Sequence, residues 1–540
     1  MKLQNRILKP LRHVVLAACI CASAHADAWR SELFPSDWQP GQSDSQGRFL
    51  HDFSYAGYQQ GAVEIPVVAG PIFDVVKDFA ADASGETDAS VAIQTAIEAA
   101  EAAGGGVVYL PEGLYRCEKN FTIRRSHIVI RGAGVGKTRL LFADYSSSKT
   151  VNIQFLGDDA VIEETALTAD VANYSQVLLV EDASGFEVGD DVDVGWVITD
   201  RFVEAHGMTG TWKPHNGKWL PFFLLNIRSI DRSTTPHRVE VDTPIRYPIQ
   251  YLDGATMRKR KRFIEECGVE NLSLANPMLA GTTDDYAQSV RRQLINFRLA
   301  KNCWVRDIAS FKPEGEEFDA KYHLYDKGIG LLRSKRITVE NCVLQHAQRR
   351  DAGGHGYFYE LTACNDVLFN KCEGIGARHA FTTNWYFGNV GNVYLRCVSR
   401  DGTLSDWNNN LGPSDFHHSL AIASLVDSCT LDDGWQAMNR GAMSGGAGHT
   451  ATESVFWNCD GEGVVRSAQY GWGYLIGLSD SLEVMAKVNL QKPNLNWLEK
   501  QFVGTEPFDF VEGRGRGEFL EPQSLYEAQL KLRLSERSSE

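Results

Sequence analysis

Residues 85–116 read GETDASVAIQTAIEAAEAAGGGVVYLPEGLYR, and the order of elements within them decides the architecture. Thr87 or Asp88 suits the start of a helix, because a short side-chain oxygen accepts from otherwise unpaired first amides. Val91, Ile93, Ala96, Ile97 and Ala100 follow at helical spacing and supply an apolar side. Gly104-Gly105-Gly106 ends the helix. Val107 to Leu110 is a short apolar run that reads as a buried strand, and Pro111-Glu112-Gly113 is a turn.

Downstream, a short strand recurs. The segments are VENLSLAN, NCWVRDIAS, RITVENCVLQ, DVLFNKCEG, NVYLRCVSR, SLVDSCTLD and SVFWNCDG. Their marker residues Leu272, Cys303, Ile337, Val367, Val393, Leu425 and Val455 are 26–34 positions apart. A strand at that period signals a solenoid. Cys342, Cys372, Cys397, Cys429 and Cys459 fall at the matching end. They are expected to stack as small buried hydrophobes, a disulfide ladder being the lesser alternative.

The order strand, GETD, amphipathic helix, GGG-VVYLPEG-Y resembles the N-terminal coil of the pectate-lyase-like superfamily. The resemblance is close over this segment and extends to later coils only by pattern. It implies a single-stranded right-handed parallel β-helix, the fold of pectate lyases, polygalacturonases, epimerases and phage tailspikes. The expected chain is all-β, with an N-terminal capping helix, a β-rich insertion and a C-terminal capping helix. The domain reading is a signal peptide at 1–26, an aromatic-rich arm at 27–70 and first coils at 71–159. The insertion follows at 160–250, the main solenoid at 251–500, and the C-terminal cap and tail at 501–540.

One motif competes with this reading. Residues 128–142, IVIRGAGVGKTRLLF, look like a phosphate-binding loop. The pattern G-x-x-x-x-G-K-[ST] places Arg131 where its first glycine belongs, and a strand rather than a helix follows. Two solenoid strands around a glycine-rich turn are expected instead, and no nucleotide partner.

The 540 residues suffice for a large core, and 49 glycines fit many turns. A formal net charge of −15 argues against binding nucleic acid through the whole-molecule field. Lys2, Arg6, Lys9 and Arg12, a short apolar run and small residues up to Ala26 describe a secretory signal. Cleavage is expected after Ala26, with Ala24 as an alternative, giving a secreted or periplasmic protein. Lipoprotein anchoring at Cys19 is disfavoured, because only Val14 and Val15 precede the LAAC box as an apolar run. No segment reaches the ~18 consecutive apolar residues of a membrane span. Of eleven cysteines nine follow the signal, none as C-x-x-C, so zinc has no support.

A solenoid presents residues one coil apart as columns on one face. His355, His379, His418 and His449 recur at nearly that spacing. Arg349, Arg350, Arg378, His417, Arg440 and Arg466 lie nearby, interleaved with Tyr357, Tyr359, Trp385, Tyr386, Trp435 and Trp457. A groove for an acidic polysaccharide fits this pattern, since Arg pairs with carboxylates and aromatic faces line sugars. An internal polar ladder, with each His satisfied by its neighbours, is the competing structural reading.

Eliminative cleavage of a uronate polymer needs the carboxylate neutralised, a base for the adjacent proton and an acid for the leaving oxygen. Arg378 and Arg440 are assigned to the carboxylate, and His379, His418, His449 or Tyr386 to proton transfer. Arg349, Arg350, His355, His417, Trp385 and Trp435 are assigned to substrate binding. Hydrolysis would instead need two flanking carboxyl groups. Gly354-His355-Gly356 precedes Asp432-Asp433 and follows Arg333-Ser334-Lys335, the wrong order for a polygalacturonase, so those assignments do not transfer. Asp351, Asp415, Asp432 and Asp433 keep hydrolysis open. Calcium would need a column of carboxylates, of which Asp401, Asp406 and Asp415 form at most part. No metal site and no organic cofactor are expected, with calcium left open. Arg258 to Arg262 form the densest basic run, read either as a distal polyanion subsite or as a solvated strand. Rival readings are a glycoside hydrolase, an epimerase that shares the first proton abstraction, and a non-catalytic glycan-binding solenoid.

Overall fold

The computed structural model describes residues 28–143, 149–280, 290–318, 321–350, 353–405, 408–486 and 507–537. The signal segment, Asp351 and Asp406 lie outside them. The chain winds as a right-handed parallel β-helix. One face is a ten-stranded parallel sheet, running from Phe121–Ile123 through Lys149–Leu156, Arg291–Arg298, Lys327–Leu332, Tyr357–Thr362, His379–Thr383, Ser414–Phe416, Trp435–Met438 and Val464–Ala468 to Glu483–Met485. A second parallel set of nineteen strands carries the rest of each coil.

Corners explain how short strands stack. Asn271, Asp307, Asn341, Lys371, Arg396, Ser428 and Asn458 all have left-handed backbone, with φ between 51° and 59°. They lie one above another, because the strands on either side pair in register. Such conformations cost a non-glycine residue roughly 1 kcal/mol or more, so they persist only where the inter-coil hydrogen bonds impose them. The residue after each corner turns inward: Leu272 and Ile308 in the early coils, then Cys342, Cys372, Cys397, Cys429 and Cys459. Each of these five thiols donates to a carbonyl of the preceding coil, at 3.2–3.8 Å. All nine cysteines among the described residues are buried free thiols.

Inside, parallel register places like residues over like. Phe155 stacks on Phe297 with ring centres 4.3 Å apart, and Tyr359 on Phe381 at 4.8 Å. That is the inter-strand spacing of any sheet. Trp435 joins this interior file beside Phe381, Tyr394 and Phe416.

The opening segment folds as its pattern predicts. The helix spans Ser90–Ala102 and buries Ile93, Ala96, Ile97 and Ala100 over the first coil. Asp88 accepts from the Ser90 amide at 2.9 Å, although Ala89 occupies the cap position. Val91 is 59% exposed and Ser90 takes its place inside. Ile128–Gly132 and Thr138–Phe142 are strands of the same parallel set, as expected of the nucleotide-loop mimic. Thr138 Oγ1 closes the turn onto Leu110 O and the Ala133 amide. A Cβ on Gly132 would sit 2.3 Å from Asn271 O, so glycine is required there by the next coil.

Between two coils the chain leaves the solenoid as an antiparallel sheet in the order Asp158–Ala166, Thr256–Arg262, Asp191–Val197, Trp219–Asp231, His237–Val241, Val177–Val180. Trp196 stacks on Phe222 at 3.6 Å, and the same apolar cluster takes in Leu33, Phe34, Trp38 and Phe53 of the arm and Phe387, Leu425 and Trp457 of the solenoid. The basic run lies within this sheet, and its first four residues are paired: Arg258 with Glu164, Lys259 with Asp190, Arg260 with Asp193 and Lys261 with Asp158. The C-terminal helix Leu525–Arg537 lies against the arm, Tyr526 reaching Ala56 O and Arg533 reaching Ser54, and its first turn is held by Asp427. Among the described residues no helix is long and apolar enough to cross a membrane.

Trp435→Ala should lower stability by about 3–5 kcal/mol, the usual cost of an aromatic cavity, read as a lower denaturation midpoint. Lys137 is exposed beyond the turn. Lys137→Ala should leave stability and turnover largely intact, and a large loss of turnover in a folded variant would revive the phosphate-loop reading.

Candidate active site

The outer surface of the ten-stranded sheet builds the site. Parallel register sets Gln154, Asn296, Gly330, Glu360, Thr382, Asp415, Gln436 and Arg466 in one outward column. Tyr357 pairs with His379 beside it. Every second residue of a strand faces out, so one coil supplies one or two groups and neighbouring coils supply the rest.

Asp415 is the hub. Its Oδ1 accepts from Thr382 Oγ1 at 2.8 Å, and its Oδ2 lies 2.6 Å from His417 Nδ1. Arg440 Nη1 approaches the same Oδ2 at 3.5 Å and donates to His417 O at 2.9 Å. The acceptor role of Asp415 places the His417 proton on Nδ1 and leaves Nε2 as the basic nitrogen. Ser444 Oγ lies 3.4 Å from that Nε2 and accepts from Arg440 Nη2 at 3.1 Å. His379 Nδ1 donates to Pro413 O at 2.5 Å, and its buried Nε2 has no partner. The Tyr357 ring lies 5.2 Å from that of His379 and 5.8 Å from that of His417, with Lys327 and Arg378 over its face.

Burial dominates the electrostatics. It pushes His379 down to about 3 and His418 to about 4. Burial first, then the charges of Arg440, His418, Arg378 and Lys327, holds His417 well below the usual imidazole range. Burial likewise lowers Arg440 and raises the Tyr357 phenol. The resting cluster therefore holds neutral imidazoles among cations.

A cavity of about 730 Å³ adjoins the cluster, lined by Arg291, Lys327, Glu360, Asn384, Trp385 and Tyr386 among others. The hub itself does not line it. The connection runs through Lys327, which caps the Tyr357 ring, and through Trp385, which stacks on His418 at 4.5 Å. Glu360 is held by Lys327 at 2.8 Å and by Asn384 at 2.8 Å. Trp385 is 47% and Tyr386 44% exposed, which leaves both with open ring surface at the cavity.

The structure thus gathers His379, His417, His418, Arg378, Arg440, Trp385 and Tyr386 around one centre. It places the other expected residues elsewhere. His449 faces the insertion, with Nε2 at 3.1 Å from His206 O and its ring against Tyr470. Trp435 is interior. His355 sits one coil away between Asp326 and Arg291. Arg349 runs beside Tyr325, to whose hydroxyl it donates at 3.5 Å, and Arg350 is half-buried near Tyr322. Asp401 lies by Asp432 and Asp433, not by Asp415. Lys327, Glu360, Thr382 and Ser444 went unnoticed in the sequence. Only the strand register marks Glu360 and Thr382, one coil apart in the Asp415 column.

His379, Asp415 and His417 are also the one group among the described residues whose donor atoms converge as metal ligands would, within 4.8 Å. Two imidazoles and one carboxylate are not calcium's oxygen set. The carboxylate is moreover already shared by His417, Arg440 and Thr382, so the arrangement fits proton handling better than calcium.

Residues 73–184 match the family described as rhamnogalacturonase A/epimerase, pectate lyase-like. The first coils are therefore of the pectate-lyase-like kind. Mannuronan C5-epimerase AlgE6 and alginate lyase 7, both of Azotobacter vinelandii, are each 44% identical over 84 residues, 14% of this chain and 10% of theirs. The chain thus matches about a tenth of the length of these relatives. Among solved structures, the Gp54 tailspike of Acinetobacter baumannii bacteriophage AP22, in complex with capsular saccharide, is similar with a TM-score of 0.49 and 12% identity, covering 83% of this chain and 62% of that one.

The buried imidazoles set a pH dependence. His206, His215, His323, His418 and His449 are lowered to about 4 and His379 to about 3, mainly by burial. On unfolding they take up protons below about pH 6.5, so stability falls as pH drops from there towards 4. Asp427, Asp433 and Asp509, raised to about 6, 7 and 7, act in the opposite sense. Six histidines outweigh three aspartates, so the urea midpoint should fall between pH 6.5 and 4. A midpoint that rises over that range would contradict the buried neutral cluster.

Proposed function

We propose that the protein is an exported enzyme that modifies an acidic, uronic-acid-containing polysaccharide by β-elimination. The observation that carries this reading is the Asp415-oriented His417 set beside Arg440, Arg378 and Tyr357 at the end of a cation-lined groove. The relatives support the class, since those named act on mannuronan or alginate.

In this mechanism Arg440 and Arg378 receive the sugar carboxylate. Charge neutralisation makes the adjacent C5 proton acidic. His417 Nε2 takes that proton, while Asp415 holds the ring and stabilises the imidazolium. Burial first, and then the surrounding cations, keep His417 a weak base at rest; the incoming carboxylate offsets the cations, so its basicity rises when substrate binds. Tyr357, under Lys327 and Arg378, donates to the leaving glycosidic oxygen, and His379 serves as the neighbouring polar contact. Trp385 and Tyr386 carry adjacent rings.

Epimerisation is the second reading, because it starts with the same abstraction and returns a proton from the other face instead of expelling oxygen. Hydrolysis is less well served. Asp415 and Glu360, the carboxylates at the site, are both engaged by cations and by neutral donors, whereas inverting or retaining chemistry needs one carboxylic acid free to protonate the leaving group.

Incubation with alginate and other polyuronates tests the reading. The wild type should generate absorbance of an unsaturated uronate, and His417→Ala should lower kcat by about 10²–10⁴, the usual contribution of a general base. Deuterium entering C5 in heavy water without chain cleavage would select epimerisation. New reducing ends without unsaturation would overturn both in favour of hydrolysis.

A further inference from the structure

A second cavity of about 490 Å³ opens between the ten-stranded sheet and the insertion. It shares Leu332 and Tyr386 with the main groove. Its walls carry Arg258 and Arg260 from the insertion and Arg298 and Arg333 from consecutive coils, with Trp219 alongside. The size falls within the ~300–1,000 Å³ of small-ligand sites.

The charges around it do not cancel. Arg258 pairs with Glu164 at 2.8 Å and Arg260 with Asp193 at 2.6 Å. Arg333 shares Asp193 at 3.2 Å and approaches Asp159 at 3.9 Å, while Arg298 takes Asp159 at 2.7 Å. Four guanidiniums thus face three carboxylates, and Arg298 Nε and Arg333 Nε are buried without an acceptor. Arg258 Cζ sits over the Trp219 ring, 3.7 Å from its centre. Buried guanidinium donors normally find acceptors, and planar forks favour carboxylates.

The geometry points to this side cavity as a subsite for the carboxylate of a uronic-acid unit outside the reacting linkage, with Trp219 and Tyr386 flanking the sugar. It rests on the acidic-polysaccharide reading above and adds a specificity element built by the insertion. A substrate chain leaving the main groove past Tyr386 would meet Arg298 and Arg333 first, then the Arg258–Trp219 rim. The basic run of the sequence would then contribute through Arg258 and Arg260, while Lys259 and Lys261 stay paired with Asp190 and Asp158.

Calorimetry in a His417→Ala background, where turnover is suppressed, tests this with oligouronates of increasing length, their carboxyl-reduced counterparts, and inorganic sulfate. Affinity for oligouronates should step up at the length that reaches the side cavity. Adding Arg298→Ala or Arg258→Ala should remove that step, weakening the longer oligomers about tenfold while thermal melting shows the fold intact. Carboxyl-reduced oligomers should show no step. A step that survives in both arginine variants, or that appears equally with reduced oligomers, overturns the subsite and leaves the main-groove reading standing. Sulfate binding that Arg298→Ala abolishes, with no length step for oligouronates, overturns it in favour of an inorganic-anion site. Failure to bind oligouronates of any length overturns the acidic-polysaccharide reading itself.

Discussion

Everything else in this molecule depends on the parallel register between coils, and that register is set at the corners. Seven stacked residues from Asn271 to Asn458 hold left-handed backbone although none is glycine. Each corner alone is unfavourable. Stacked, they let every strand pair above and below, and at five of them the thiol that follows donates to the carbonyl two residues before the corner of the coil beneath. A hydroxyl there would need a stronger partner, and a larger apolar side chain would leave that carbonyl without the contact. Cysteine combines small volume, apolar character and a weak donor, which accounts for its recurrence without any disulfide.

The same register builds the candidate site. Asp415, Thr382 and Glu360 come from three coils yet stand about one strand spacing apart. Thr382 and His417 tie Asp415 from both sides, and Arg440 supplies the charge that a buried carboxylate needs. Burying such a group without partners would cost several kcal/mol. Here the partners are themselves side chains of the candidate site, so the interactions that hold the carboxylate in place also fix the tautomer and direction of His417.

Much of this was legible in the sequence, and the exceptions have physical causes. Val393, Leu425 and Val455 do stack in register, as do Cys303 and Ile337. Leu272 was misaligned, because Gly268–Ala275 runs through the corner at Asn271 and Leu272 pairs with Ile308 on the far side. The histidine column divides for a similar reason. Spacing near one coil selects residues at similar heights, but it does not say which face they occupy. His379 and His418 reach the Asp415 cluster, whereas His449 points to the insertion and Trp435 turns into the core. Lys327 and Glu360 gave no signal, since a lone Lys and a lone Glu are ordinary surface residues until register places them against each other.

The insertion gives the solenoid face a fixed side wall. A bare β-helix offers a long, shallow face, on which a polymer could bind in many frames. Here the arm, the antiparallel sheet and the solenoid flank share one apolar cluster, with Leu425 and Trp457 of the coils packed beside Trp196 and Phe222 of the insertion. The wall is therefore held rigidly at the side of the groove, not as a loose lid. Its ion pairs repeat the arrangement: Lys301 and Lys335 of the coils are both held by Asp191 of the insertion, which only partly offsets the burial that lowers Lys335. Cations on the coils and acids on the insertion thus close the seam where they match. At Arg298 and Arg333 the match is incomplete: each keeps a carboxylate partner but a buried Nε without an acceptor, and there the seam opens into a cavity.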